Sequence, residues 1–249
     1  MLATLAYCGS PPAPGGATWN FDPILIAALM ALSVAHLASI RHLPSWRVTS
    51  AAAGWLVLSL ALISPLCNLS VALFSARVAQ HMIIVLIAAP LIALALPRMH
   101  SGTGSQWAAT FLFAVLLWTW HSPAPYDATF TSTTIYWTMH VTMFGSAVWF
   151  WATLLRSDAS PFSSLFASFV TGMQMSLLGA LLTFSHAAWF AVHSLTTQAW
   201  SLSPLDDQQI GGLIMWVPAG ALLTAYAIVL FGLELMRMNE ADHTHAAAG

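Results

Sequence analysis

AQHMIIVLIAAPLIALALP, the stretch from Ala79 to Pro97, contains no charged side chain. As an α-helix the part from Ala79 to Leu96 would be about 27 Å long, at a rise of 1.5 Å per residue. That length nearly crosses the hydrocarbon core of a bilayer, which is about 30 Å thick. Backbone amides cannot stay unpaired in lipid, and no run alternates with the period of two that barrel strands show. The stretch therefore predicts a transmembrane helix.

The whole chain has the composition of a membrane protein. Hydrophobic residues make up 59% of it and charged residues only 6%, and there is no lysine. A soluble domain would carry roughly a quarter charged residues. The length fits one bundle with no second soluble domain. The lipid bilayer is therefore a predicted partner, and the lack of a basic patch argues against nucleic acid.

Apolar runs recur along the chain and predict an all-α fold, a polytopic membrane bundle of about seven transmembrane helices. The predicted spans are Pro23–Ile40, Ala51–Leu66, Ala79–Leu96, Gln106–Trp120, Ile135–Leu155, Phe162–Phe184 and Ile210–Leu235.

The arginines predict an orientation. With seven spans, five of the six arginines fall on one side of the membrane and only Arg77 on the other; the five are Arg41, Arg47, Arg98, Arg156 and Arg237. Since positive loops stay in the cytoplasm, the N-terminus is predicted outside and the C-terminus inside. This divides the chain into an extracytoplasmic segment (1–22), a transmembrane domain (23–236) and a disordered cytoplasmic tail (237–249).

Three of the ten histidines lie at the outer ends of three different predicted helices: His81, His121 and His140. Imidazoles at similar depth on facing helices can converge on one metal ion. The alternative is that each is a polar tip at the level of the lipid headgroups.

Methionines accompany these histidines. Met82 follows His81, Met139 precedes His140, and Met143 lies one turn further along the same face. Thioethers select the soft ion Cu(I), so copper is the predicted ligand. The alternative is that these methionines are core filler.

Two further features of the predicted outer side have open roles. Asp206 and Asp207 begin the last predicted helix, where a carboxylate caps free amides; Asp207 is alternatively an oxygen ligand for the metal. Cys8 and Cys67 form a disulfide, supply thiolates to copper, or are bystanders.

Gly211 and Gly212 predict the close approach of another helix.

Three segments together resemble the CtaG family of integral-membrane assembly factors for caa-type cytochrome c oxidases. They are AQHMIIVLIAAPLIALALP (Ala79–Pro97), WHSPAPYDATF followed by YWTMH (Trp120–His140), and SPLDDQQIGGLIMWVPAG (Ser203–Gly220). The resemblance implies a multi-pass protein of the bacterial plasma membrane. It also implies a role in maturing a haem–copper oxidase, with oxidase subunits or other assembly factors as partners. Family motif positions coincide with His81, His121, Asp127, His140 and Asp207.

The chain departs from the family at two places. Arg77 stands where the family tends to have a histidine four residues before His81. Tyr136 and Met139 stand where the family tends to show the histidine and glutamate of HxxEH. Either Met139 or Met143 rebuilds the site, or this member works without tight copper binding.

The leading hypothesis is therefore a non-enzymatic assembly factor that holds Cu(I) at the outer face and passes it to an oxidase subunit. A transporter or channel for copper or another small solute is the second hypothesis, although mid-membrane polar residues are few. The third is a membrane cytochrome in which His81 and His140 bind haem.

Overall fold

The structure is a computed structural model that describes residues 6–97, 102–156 and 158–248. Beyond residue 229 it describes side chains only at 231, 232 and 236. Every regular element in this part of the chain is helical, and it contains no strand. Arg98, His100 and Gly249 lie outside the described residues, as does the side chain of Arg237.

Ten α-helices, one π-helix and two 3₁₀ turns follow each other along the described chain. The α-helices are α1 Pro23–Ile40, α2 Ser45–Ile63, α3 Pro65–Ala72, α4 Phe74–Ile83, α5 Ala89–Ala93, α6 Thr103–Trp120, α7 Pro123–Ala128, α8 Thr133–Arg156, α9 Pro161–Phe184 and α10 Pro204–Ala248. The π-helix, Ile84–Ala88, joins α4 to α5, and the 3₁₀ turns are Ala191–His193 and Thr197–Trp200.

Five of the described helical segments are long and apolar enough to cross a membrane: Pro23–Ile40, Ser45–Ile63, Phe74–Ala93, Pro161–Phe184 and Pro204–Val229. They correspond to the first three and the last two predicted spans. The fourth and fifth predicted spans are also helices, α6 and α8, and are more polar. Part of that polarity serves the bundle, since the buried Gln106 of α6 donates to Ser164 of α9.

One end of the bundle is held together by two arginines. Arg47, at the start of α2, donates to the carbonyl oxygens of Leu94, Ala95 and Leu96, which follow α5. Arg156, at the end of α8, donates to the same Leu96 oxygen at 3.2 Å. Carbonyls after a helix have no partners of their own, so these cations satisfy them. Two arginines that the sequence assigns to one side therefore meet in space.

The N-terminal segment covers the opposite end. A disulfide joins Cys8 to Cys67 of α3, which is one of the three roles that the sequence left open for these cysteines. The side chain of Asn68 donates to the Cys8 carbonyl at 2.8 Å, and Trp200 Nε1 donates to the Pro12 carbonyl at 3.0 Å. The segment is thus tied both to α3 and to the loop between α9 and α10.

Glycines allow close helix contacts at this end, as the sequence predicts. A Cβ added to Gly212 of α10 would lie 2.6 Å from the Gly179 carbonyl of α9. A Cβ on Gly211 would overlap the ring of Phe74, with its nearest atom at 2.5 Å. These contacts place the start of α10 against both α9 and α4. Helix α10 continues to Ala248; the disordered tail from residue 237 and the boundaries at 22 and 236 remain predictions.

Candidate metal centre

The start of α4 sets the position of the first histidine. Its N-cap residue, Leu73, has no side-chain oxygen to accept the free amides of the first turn. Asp207 of α10 replaces that cap: Phe74 N donates to Oδ2 at 2.6 Å and Ser75 N to Oδ1 at 3.1 Å, and the Ser75 hydroxyl also donates to Oδ1. Asp207 is fully buried. A residue remote in sequence therefore determines where α4 begins.

The two neighbouring aspartates have different roles. Asp206 accepts from the backbone and hydroxyl of Ser203, and the Ser203 hydroxyl accepts from Asp206 N, which is a capping box for α10. Asp207 uses both its oxygens on α4. Asp206 therefore caps α10 as predicted, whereas Asp207 caps α4 instead of its own helix. Metal ligation by Asp207 would compete with the bonds it already makes.

A π-helix begins directly after α4 and follows His81 within one turn. Pro90 lacks an N–H, so it cannot donate to a carbonyl of the preceding turn. The indole N–H of Trp151 in α8 donates to one of these carbonyls, that of Val85 inside the π segment, at 2.9 Å. This side-chain bond ties the irregular segment to α8. Such π segments widen a helix locally and occur often at functional sites.

The three predicted histidines come together. The ring of His81 lies 5.9 Å from the ring of His121 and 5.3 Å from the ring of His140, measured between centroids. Two imidazoles that bind one ion through nitrogens at about 2 Å have centroids about 5–6.5 Å apart. All three side chains are buried, with His81 3% exposed. His81 is the member that contacts both others.

Backbone hydrogen bonds orient two of these rings. His121 Nδ1 lies 2.8 Å from the Leu117 carbonyl, and His140 Nδ1 lies 3.1 Å from the Tyr136 carbonyl. A carbonyl can only accept, so each Nδ1 carries the proton and each Nε2 keeps a lone pair. A bond of this kind commonly fixes the tautomer of a metal-binding histidine.

Ring nitrogens without partners mark the centre of the group. His81 Nδ1, His81 Nε2 and His140 Nε2 are buried and have no hydrogen-bond partner. Buried polar atoms are nearly always paired, so this cluster requires a ligand or water. The donor set therefore fits a metal ion that accepts imidazole nitrogen.

Within the described residues, no group of three or more His, Cys, Asp or Glu side chains has the arrangement of a complete metal site. The three histidines form a chain through His81, and Cys8 and Cys67 are bonded to each other. Met82, Met139 and Met143 are buried in the same core cluster. A complete ligand set on this chain would thus need a thioether, a small side-chain movement or an external ligand.

Arg77 lies one turn before His81 on α4 and is only 1% exposed. Its Nη1 donates to Thr129 Oγ1 at 2.7 Å, and its guanidinium lies over the Phe130 ring at 4.1 Å from the centroid. The rings of Tyr126 and Tyr136 flank it at 5.4 and 5.6 Å. The sequence identified Arg77 as the one arginine on the predicted outer side, but it did not predict that aromatic rings surround it.

Tyr136 connects the disulfide to the histidines. Its hydroxyl lies 3.3 Å from Cys8 Sγ and 3.7 Å from Cys67 Sγ. Its ring packs against that of His140 at an interplanar angle of 35°, with centroids 4.3 Å apart. The sequence singled out Tyr136 only as a missing ligand, whereas in the structure it packs between the sulfurs and the site.

A second buried group lies beside the first, outside the predicted spans. Tyr126 Oη and His193 Nε2 are 2.8 Å apart. Burial lowers the pKa of His193 to about 3 and raises the pKa of Tyr126. Burial also raises the pKa of Asp127, although the backbone amides of Val192 and Ala191 oppose this. No sequence signal marked His193 as part of a buried group.

A groove of about 510 Å³ lies between α1, α2 and α8, on one side of the histidine group. Leu25, Leu29, Leu58 and Trp137 form part of its apolar lining, and His140 borders it. Of the three histidines, His140 is the one that lines this groove.

The family model for the cytochrome c oxidase caa3 assembly factor, Caa3_CtaG, matches residues 27–108 and 102–237. The two matched stretches overlap and together include all three histidines, Arg77 and Asp207. Comparison with curated proteins and with solved structures gave no match.

Proposed function

Because this chain belongs to the family of cytochrome c oxidase caa3 assembly factors, we propose that it is a non-enzymatic copper-handling protein of the bacterial plasma membrane. It binds Cu(I) at the outer face and delivers it to an oxidase subunit or to another assembly factor. Copper is the cargo in this proposal, and no bond of a substrate is made or broken.

The proposal includes seven membrane crossings with the N-terminus outside. The crossing segments are α1, α2, α4 with α5, α6, α8, α9 and α10. The shared bonding of Arg47 and Arg156 to Leu96 supports this arrangement, because it joins two predicted cytoplasmic loops. The disulfide supports an oxidising location for the opposite end, since disulfides persist outside the cytoplasm.

The observation that carries the metal proposal is the position of His81 between His121 and His140. The ring distances suit a shared ion, and two of the rings are held with Nε2 unprotonated. Neutral imidazoles from three helices give a site without a charged ligand. A monovalent ion is favoured there, because a buried divalent charge without anionic ligands is much more costly to desolvate.

Delivery requires that the ion can leave. A His and Met ligand set holds Cu(I) less tightly than a closed thiolate cage would. Met82, Met139 and Met143 are buried and stand close to the histidines in sequence. Asp207 contributes by holding the start of α4, and through it His81, and would become a ligand only if its capping bonds opened.

Copper titration of the purified protein tests this proposal. The protein is titrated with Cu(I) against a chromophoric chelator in ascorbate, because a thiol reductant would attack the disulfide. The wild type is expected to bind one Cu(I), and His81→Ala/His140→Ala is expected to lose it. The matched control is His42→Ala/His186→Ala, which removes two exposed histidines.

The control should bind like the wild type. Equal binding by the wild type and the His81→Ala/His140→Ala variant would show that the site is wrong. Absence of Cu(I) binding in the wild type would show that copper is not the cargo.

A further inference from the structure

Arg77 has a buried charge that its contacts do not neutralise. Its Nη1 donates to a neutral hydroxyl, that of Thr129, and its faces meet the rings of Phe130, Tyr126 and Tyr136. Its Nε is buried and has no acceptor. Arginine cannot give up its proton in a protein. A buried cation of this kind ordinarily has a paired anion.

His81 carries a second donor without an acceptor. A neutral imidazole has one N–H and one lone pair. His121 and His140 use their N–H groups on backbone carbonyls, whereas both nitrogens of His81 lack partners. Whichever nitrogen of His81 holds a metal, the other has an N–H still to be satisfied.

The two donors lie on the same side of one helix. Arg77 and His81 are four residues apart in α4, so their side chains are neighbours on one helix face. The ring of Tyr136 lies 5.6 Å from the Arg77 guanidinium and 4.3 Å from the His140 ring, measured to the centroids. The guanidinium therefore belongs to the same small volume as the histidines.

We propose that Arg77 Nε and the free ring N–H of His81 bind a small monovalent anion, with chloride as the simplest case. A water molecule would satisfy the two donors but would leave the guanidinium charge unpaired. A halide satisfies both needs, and a charge-assisted bond is stronger than a neutral one. The site is internal and formed by α4, with the aromatic rings excluding water around it.

The anion has a second consequence, which rests on the proposed function. A guanidinium beside three histidines repels a cuprous ion, and in a poorly solvated site that repulsion is strong. A bound halide on the far side of the His81 ring offsets this repulsion, because its negative charge compensates the guanidinium. Chloride is thus expected to raise the affinity for Cu(I), and only while Arg77 is present.

Chloride binding is measured on metal-free protein, treated with a chelator and reconstituted in lipid nanodiscs, by the broadening of the ³⁵Cl NMR line. The wild type is expected to broaden the line above the level of empty nanodiscs, and bromide is expected to compete. Arg77→Met should weaken chloride binding by at least about tenfold, because a charge-assisted bond is lost. The control Arg41→Met removes an exposed arginine and should bind as the wild type does.

Equal broadening by the wild type and Arg77→Met would overturn the anion site. If Arg77→Met does not fold, His81→Leu decides: it keeps the guanidinium but removes one donor, so unchanged chloride affinity would overturn the proposal. Chloride binding without any copper binding would sustain the anion site and reject the proposed function. If the affinity for Cu(I) does not change with chloride in either the wild type or Arg77→Met, the link between anion binding and copper binding is rejected.

Discussion

Asp207 of α10 accepts the backbone amide of Phe74 at 2.6 Å, across 133 residues of sequence. This bond replaces a missing local cap and fixes the first turn of the helix that carries Arg77 and His81. The carboxylate is fully buried, and three donors converge on it. The start of α10 and the candidate site are therefore mechanically linked.

Replacing Asp207 with alanine is expected to destabilise the protein by about 2–4 kcal/mol, since it leaves buried amides unsatisfied. The measurement is thermal unfolding in detergent, combined with hydrogen exchange of the Phe74–Val78 amides, which should speed up. Asp206→Ala is the matched control, and its expected cost is smaller because this cap is exposed. Equal effects of the two variants would contradict this assignment.

Asparagine variants at the same two positions separate a cap from a metal ligand. If Asp207 only positions α4, the Asp207→Asn variant should be less stable than the wild type. Its folded fraction should still bind as many Cu(I) ions per protein as the wild type does. Loss of the ion from well-folded Asp207→Asn, with Asp206→Asn unaffected, would instead make Asp207 a ligand.

The disulfide between Cys8 and Cys67 closes a loop with a sequence separation of 59. Opening a loop of that length costs at most about 4 kcal/mol in the chain-entropy account. We expect a thiol reductant to lower the melting temperature of the wild type but not of Cys8→Ser/Cys67→Ser. The bond itself is detected by alkylation and mass spectrometry before and after reduction. Two alkylated cysteines in the untreated, unfolded protein would contradict it.

Much of the helical framework was predictable from local pattern. The first predicted span coincides with α1, and the sixth, Phe162–Phe184, begins one residue after α9 does. Both helices begin with a proline and continue as a long apolar run, and these are local signals. The convergence of His81, His121 and His140 was also predictable, because depth in the membrane follows from position within a span.

The remainder depended on contacts between distant residues. Helix α4 begins at Phe74 rather than at the predicted Ala79, because Asp207 caps it there. Arg77 contacts Thr129, Phe130 and Tyr136. No periodicity in the sequence connects these residues to α4. Local pattern could identify Arg77 as unusual but could not say what it touches.

The orientation is tested by labelling introduced cysteines in intact cells. Arg41→Cys is expected to be protected from a membrane-impermeant maleimide, and His186→Cys is expected to react, since both residues are exposed in the structure. The unsubstituted protein is the background, because its two cysteines are joined. Reaction of Arg41→Cys together with protection of His186→Cys would place the N-terminus in the cytoplasm.

His193 predicts how stability depends on pH. Its pKa is lowered by burial from 6.5 to about 3, so the folded protein resists a proton that the unfolded chain accepts. The contribution of His193 to stability is therefore complete above pH 6.5 and is lost as the pH falls towards 3. At pH 5 the loss amounts to about 2 kcal/mol.

Melting temperatures of the wild type and His193→Gln, measured from pH 7 to pH 5, test this expectation. Glutamine can still accept a hydrogen bond from Tyr126 but cannot be protonated, so the variant should lose less stability on acidification. The difference between the two slopes isolates His193 from the other buried histidines, which both proteins share. Parallel slopes would mean that His193 is accessible to protons in the folded state, and that the end of the bundle around Tyr126 opens more readily than its packing indicates.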